Sequence, residues 1–557
     1  MNRAVHIATR PATQVMRLSR LGSLHQCRLS FMRQLTRRMA RENWSFHCDR
    51  FDIDENGIGV ALLRAHTGTR DYTLVAFSHD LPAEKRSDRV IAEAWDATFT
   101  LFDGRPTDAD ITRLRENVPL QEAGRITQNE LTLSRANRSV RLWSYIIDAL
   151  AKGTQPDPRE IAKVGYLMRT TAVYGSGKFG ASDREQIAAR PEFTAPFQVE
   201  MLTVYLIRWF VRDLINAMAK ATNAQAIPLD PQIAQSLGIG NSTGLGMAPF
   251  LINHPILLHQ WIAAREEAIS RVRLIEQATQ GEIAALNRAF VGAKTLCATW
   301  ASDHPIQQEK CAALRADLLK IEQYLHEHLM PNRPWDHMMI WAEHALSIEG
   351  QECLASLLLE PYGPLVDDLT TQMHTAPEFR PIDGAMLCEE VLDLAQQRFD
   401  WAFEVDWTSR AETSRAWYIS EEKLEPRLGE RYDEPITPYE QPLAPARDVA
   451  HMCMALKAYD PKARVGQFAQ DYPEHRHMIR RLQSCAGHEY AEIHDNTIGA
   501  DLLPIDMLRA KLSFFGATKF DPRSDRWLRI TMFAGAPYPS DLHEENSDLW
   551  VYPSGAA

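Results

Sequence analysis

Residues 197–221 read FQVEMLTVYLIRWFVRDLINAMAKA. Leu202, Leu206, Trp209, Asp213 and Asn216 recur at helical spacing, yet the stretch is apolar almost all round. A helix with no polar face is buried on every side, so this one is read as the central helix of the body. Arg208 interrupts the apolar run from Met201 to Val211, and no run of 18 uninterrupted apolar residues exists, so no membrane-spanning helix is expected. Arg208 and Arg212 stand one turn apart and are expected on one edge, paired to acids or, for one buried arginine, reaching a substrate carboxylate.

Outward from that helix the signals stay mostly helical from 106 to 425. Ser139 to Ala151 carries Leu142, Tyr145, Ile146 and Leu150, with Gly153 just beyond as a stop. Pro255 suits a first turn, and a stripe of Leu258, Ile262, Ile269, Val272 and Ile275 follows, in a helical segment ending near Val291. Further helices are expected at 306–329, 338–358 and 385–405. Before them, residues 43–80 hold two short apolar runs around Thr67-Gly68-Thr69, the pattern of a hairpin. Residues 89–101 fit helix or strand. Five prolines crowd 426–446 and make it an extended connection. Helices near 447–458 and 473–494 and a strand at 527–533 complete the chain. The expected class is mainly α (α+β): a large helical body (106–425), a small N-terminal β-hairpin element (41–105) and a C-terminal α/β appendage (447–557).

Charge is unevenly spread. The whole chain of 557 residues carries -12. Residues 1–40 hold eight arginines and no Asp, Glu or Lys, which leaves -20 on residues 41–557. A body this acidic is a poor match for nucleic acid. The arginine-rich start has the composition of a targeting leader, of a basic arm or of residues upstream of a true start at Met32 or Met39, and it is set aside from the fold on that reading. Eight cysteines with no CxxC spacing fit reduced, buried thiols in a cytoplasmic compartment rather than disulfides or a thiolate zinc site.

Two glycine clusters stand out. Tyr174-Gly175-Ser176-Gly177-Lys178-Phe179-Gly180 offers backbone N–H groups and a point charge to an anion, with Arg169 just upstream. It is not a P-loop, because Ala172 stands where that pattern has its first glycine and Phe179 where it has Ser or Thr. Gly238 to Gly246 has one residue too many for a dinucleotide fingerprint, and the preceding Pro231 to Leu237 reads as helix. Asn241, Ser242 and Thr243 are its polar members. Each cluster has a plain alternative as a structural turn.

Histidines supply the proton chemistry. His254 precedes Pro255 at a helix start. His488, Glu492 and Asp495 share a face if 485–495 is helical, which makes His488 a base oriented by Glu492. His326 and His328 are poorly placed to chelate on a helix, and a second Glu-x-x-His partner for Glu474–His477 is absent, so no metal ligand is assigned. No nucleophile motif such as GxSxG occurs. These residues point to an enzyme, of lyase or isomerase type, acting on a small anionic carboxylate or phosphate metabolite, homo-oligomeric and without an assigned cofactor. The substrate set is Arg169, Gly175, Ser176, Gly177, Lys178, Asn241, Ser242 and Thr243, and the catalytic set is His254, His488 and Glu492. A metal- or haem-dependent oxidoreductase and a non-catalytic helical interaction protein are the alternatives.

Overall fold

The structure is a computed structural model. It describes residues 7–79, 95–117, 127–175, 190–195, 197–241, 254–302, 304–373, 380–409, 445–494 and 530–552, with short pieces at 417–420, 426–428, 440–443, 509–510, 513–516 and 519–520. Its organising element is a sheet. Seven strands follow in chain order: β1 (Ser45–Ile53), β2 (Gly59–His66), β3 (Asp71–Ser78), β4 (Ala97–Asp103), β5 (Glu130–Arg138), β6 (Tyr166–Gly175) and β7 (Gly238–Asn241). Three short strands, β8 (Trp417–Ser420), β9 (Pro426–Leu428) and β10 (Glu440–Leu443), form a separate small sheet. The C-terminal strands β11 (Lys519–Phe520) and β12 (Ile530–Met532) return to the large sheet, whose order is β1-β2-β3-β4-β5-β6-β7-β12-β11.

This corrects the expected fold class. The N-terminal part is a large curled mixed sheet rather than a small hairpin. The hairpin around Gly68 exists as β2–β3, but it is one rung of a meander. β5, β6 and β7 lie inside the stretch expected to be helical, and β12 pairs with β7, so the C-terminal residues complete the sheet instead of forming an appendage.

All pairings in the large sheet are antiparallel except β6–β7, which is parallel. Parallel neighbours need a long crossover. The helix Gln198–Thr222 lies within that crossover and packs against β2 through β7. Its Tyr205 and Phe210 meet Phe46, Phe51 and Phe99 of the sheet. On the opposite face Val60, Leu62, Val75, Phe77, Phe102 and Leu133 pack with Ile111 and Leu114 of the helix Asp108–Asn117. With both faces covered, the middle strands are buried on both sides, with Thr73, Thr98, Thr100 and Thr132 enclosed among the apolar residues.

A helical layer follows. The helices Pro255–Arg273, Gln280–Ala298, Pro305–Glu327, Pro334–Ala345 and Ile348–Leu357 share the main core with the sheet. The expected long helices at 255–291 and 338–358 are each two helices. Thr279 and Ser347 cap the second of each pair. A second core gathers Cys388–Phe399, Pro445–Lys457, Val465–Asp471 and Arg476–Cys485.

Setting residues 1–40 aside from the fold is also corrected. Val15, Met16, Leu18, Leu21, Leu24, Leu29, Phe31, Met32, Leu35 and Met39 are part of the main core. Five arginines of this segment, Arg10, Arg20, Arg28, Arg33 and Arg37, are counter-charges of buried or half-buried acids. Arg10 bridges Glu266 and Glu352, each at 2.7 Å. Arg20 also reaches Glu352 at 2.7 Å, and Arg265 meets it at 2.9 Å. Arg33, fully buried, forks onto Glu360 at 2.8 and 2.6 Å and touches Asp548 at 2.8 Å. Arg28 and Arg37 join Asp367 and Asp548. Carboxylates this deep are tolerable only when paired. The uneven charge of the sequence is therefore a built lattice: acid-free arginines at one end of the chain, buried acids from 266 onward.

Candidate functional site

The parallel pair fixes where the two glycine clusters begin. Tyr166 registers with Gly238, Arg169 with Gly240 and Thr170 with Asn241. Two of the glycines are set by packing. A Cβ on Gly240 would sit 2.6–2.8 Å from ring atoms of Tyr166, and one on Gly238 would sit 2.3 Å from the Met532 carbonyl oxygen. They let strands approach and do not form an anion nest, which corrects the reading of 238–241 as a loop. Thr170 Oγ1 donates to the Gly240 carbonyl at 3.4 Å and helps tie the strands together.

Arg169 and Gly175 lie in β6, and Asn241 is the last residue of β7. Ser176, Gly177, Lys178, Ser242 and Thr243 lie outside the described residues. β6 and β7 run the same way, but β7 ends at Asn241 opposite Thr170, while β6 runs five residues further to Gly175. Ile530 begins β12 opposite Asn241, and β11 ends at Phe520 opposite Ile530, so Phe520 is level with Asn241 and Lys519 with Gly240. In sheets with parallel neighbours, the ends of the strands are the usual place for ligands.

The histidines are arranged differently from the sequence reading. His254 is the N-cap residue of Pro255–Arg273, as its position before Pro255 suggests. The helix expected through 494 ends at Cys485, so His488 and Glu492 do not share a helical face. Glu492 is buried and bound bidentately by Arg481 at 2.7 and 2.9 Å, which corrects its role as orienter of His488. His488 instead packs edge-on against His259, with ring centroids 4.9 Å apart. His259 Nδ1 accepts the Tyr490 backbone N–H at 2.9 Å, which in the neutral ring places the proton on Nε2. Burial, then His488 and Arg398, pushes His259 down to about 4. Burial, then Arg380, also lowers His488. The result is a pair of neutral imidazoles at the seam between the two cores. Sequence reading passed over His259. Its signal was its place one turn and a half into the helix that His254 begins.

Among the described residues a thiol meets an imidazole at Cys297 Sγ to His25 Nε2, 3.7 Å. Burial holds the Cys297 thiol up at about 12 and His25 down at about 3. Both are neutral, so the contact cannot generate a thiolate nucleophile. Among the described residues no group of three or more His, Cys, Asp or Glu is placed to hold a metal ion, and no helix is long and apolar enough to cross a membrane. No protein-family model, curated protein or solved structure matches the chain.

Proposed function

We propose that the protein is an enzyme that holds a small carboxylate- or phosphate-bearing metabolite at the carboxyl edge of β6–β7 and transforms it by proton transfer, as in an elimination or isomerisation. One observation supports this reading: the parallel register of β6 and β7. It brings Arg169 and Thr170 beside Gly240 and Asn241, and both strands then run toward the same edge, β6 leaving it at Gly175, five residues or about 16 Å beyond the level of Asn241. Lys178 is three peptide links beyond Gly175, a span of at most about 11 Å, and Thr243 is two links beyond Asn241, at most about 7 Å. Lysine charge and glycine N–H groups are the chemistry an oxyanion needs. His254, the first described residue after the second stretch, is the proposed proton carrier.

The test is thermal stabilisation of the purified protein by inorganic phosphate. The reading expects a concentration-dependent rise in Tm, since a ligand that binds only the native state adds RT ln(1 + [L]/Kd). It expects that rise to disappear in Lys178→Ala and to persist in His254→Gln. Equal stabilisation of wild type and Lys178→Ala by phosphate would refute it.

A further inference from the structure

We propose a second ligand site, for a small hydroxycarboxylate, in a cavity at the opposite, amino edge of the same strands. The cavity has a volume of about 440 Å³ and lies between the second half of the central helix, the short helix Pro231–Ser236 and the chain after β12. Arg212, Asn216, Gln232 and Tyr538 contribute to its wall, together with two carboxylates, Asp213 and Asp541. Its size falls in the range of small-molecule pockets.

The wall is unusual in its charge. Arg208 and Arg212, one helical turn apart, both stack on the ring of Tyr538, with guanidinium carbons 4.0 and 4.4 Å from its centroid. Arg208 is 2% exposed. Its hydrogen bonds go only to main-chain carbonyls, those of Leu237 at 2.7 Å, Gln235 at 2.9 Å and Pro537 at 3.5 Å. Elsewhere Arg10, Arg20, Arg28, Arg33, Arg265, Arg481 and Arg509 are equally buried, and each meets a carboxylate. Arg208 meets none, contrary to the pairing expected from the sequence. Its guanidinium is satisfied as a donor but not neutralised as a charge, and burial and Arg212 both disfavour its protonated form. That charge sits one aromatic ring away from the cavity.

Arg212 is the group that can meet a ligand. At present Nε and one terminal nitrogen both reach Asp213 Oδ1, at 2.8 Å. This is a contact between adjacent residues on a helix, both half-buried. A carboxylate arriving from outside would take the guanidinium fork bidentately and displace that pairing. The Asn216 Nδ2 and the Gln232 amide offer partners for hydroxyl groups, which is why the class is a hydroxycarboxylate rather than a bare fatty acid.

The test is calorimetric titration of the full chain with malate, with malamide as the neutral control. Malate is expected to bind and malamide not to. Arg212→Met is expected to weaken malate about tenfold or more. Asp213→Asn is expected to tighten it about threefold, because it removes the competing carboxylate. A residue that merely supports the fold would not give that gain. Should Arg212→Met fail to fold, Asp213→Asn decides, and unchanged or weaker binding there overturns the proposal. It is equally overturned if malate does not bind, if malamide binds as well, or if Lys178→Ala rather than Arg212→Met abolishes binding, which would assign the ligand to the other edge.

Discussion

Starting the chain at Met32 should destroy the fold rather than trim a leader. The truncation removes Val15, Met16, Leu18, Leu21, Leu24, Leu29 and Phe31, each at most 3% exposed. Fully burying such a side chain is worth about 1.5–3 kcal/mol, so the apolar loss alone is of order 10–20 kcal/mol. It also removes Arg10, Arg20 and Arg28. Glu266 and Glu352, with no side-chain exposure, would keep only Arg265 between them. Breaking a buried ion pair from one side costs about 3–5 kcal/mol. Together these exceed the roughly 5–15 kcal/mol that holds an ordinary domain. The assay is circular dichroism and size-exclusion chromatography of the full chain and the chain lacking residues 1–31. The expected result is an aggregated or uncooperatively melting truncation. A truncated chain that melts cooperatively within a few degrees of the full one would refute the reasoning.

Other outcomes follow from the same contacts. Gly240→Ala must push a Cβ into the Tyr166 ring, and a loss of about 1–3 kcal/mol in urea unfolding is expected. Burial alone would push the Asp548 carboxyl up, but Arg37, Arg33 and Arg28 override it and hold it well below the usual range. Its stabilising contribution is therefore complete above about pH 4 and lost as pH falls below that, and Asp548→Asn should flatten the acid limb of the stability profile while lowering stability at pH 7. His259, held down to about 4, resists protonation when folded but takes a proton near pH 6.5 when unfolded. Stability should thus fall as pH drops from about 6.5 to 4, and His259→Asn should remove part of that fall. Cys48 is exposed while the other seven cysteines are buried, so brief alkylation of the native protein should add one label by mass spectrometry and unfolding should expose the rest.

The helices were largely legible because each carried its own period and punctuation. The central helix, expected at 197–221, spans Gln198–Thr222, and Pro305–Glu327 lies close to the expected 306–329. Apart from the β2–β3 hairpin and the strand expected at 527–533, the strands were not. In β3 every residue from Tyr72 to Ser78 is buried, so it reads as a continuous run, and in β5 the short alternation Leu131-Thr132-Leu133-Ser134 is buried on both sides and lies in a stretch with helical signals around it. β7 is four residues long and holds two glycines, which looks like a turn until Tyr166 and Met532 are seen against it. His254 at a helix start was readable from Pro255. The Arg481–Glu492 pair was not, because its meaning depends on where the helix stops. The arginine-rich start misled most. Composition alone gave it the look of a leader, and only the buried acids that face it in space, hundreds of residues later, reveal its role.

Arg10, Arg20, Arg28, Arg33 and Arg37 neutralise acids of the body, so the first forty residues and the body fold as one unit. Native-state amide hydrogen exchange tests it directly. The account predicts that Phe31–Arg41 exchanges as slowly as Gln198–Thr222, the helix at the centre of the core. Fast exchange of 31–41, at rates of an open chain while the central helix stays protected, would contradict it.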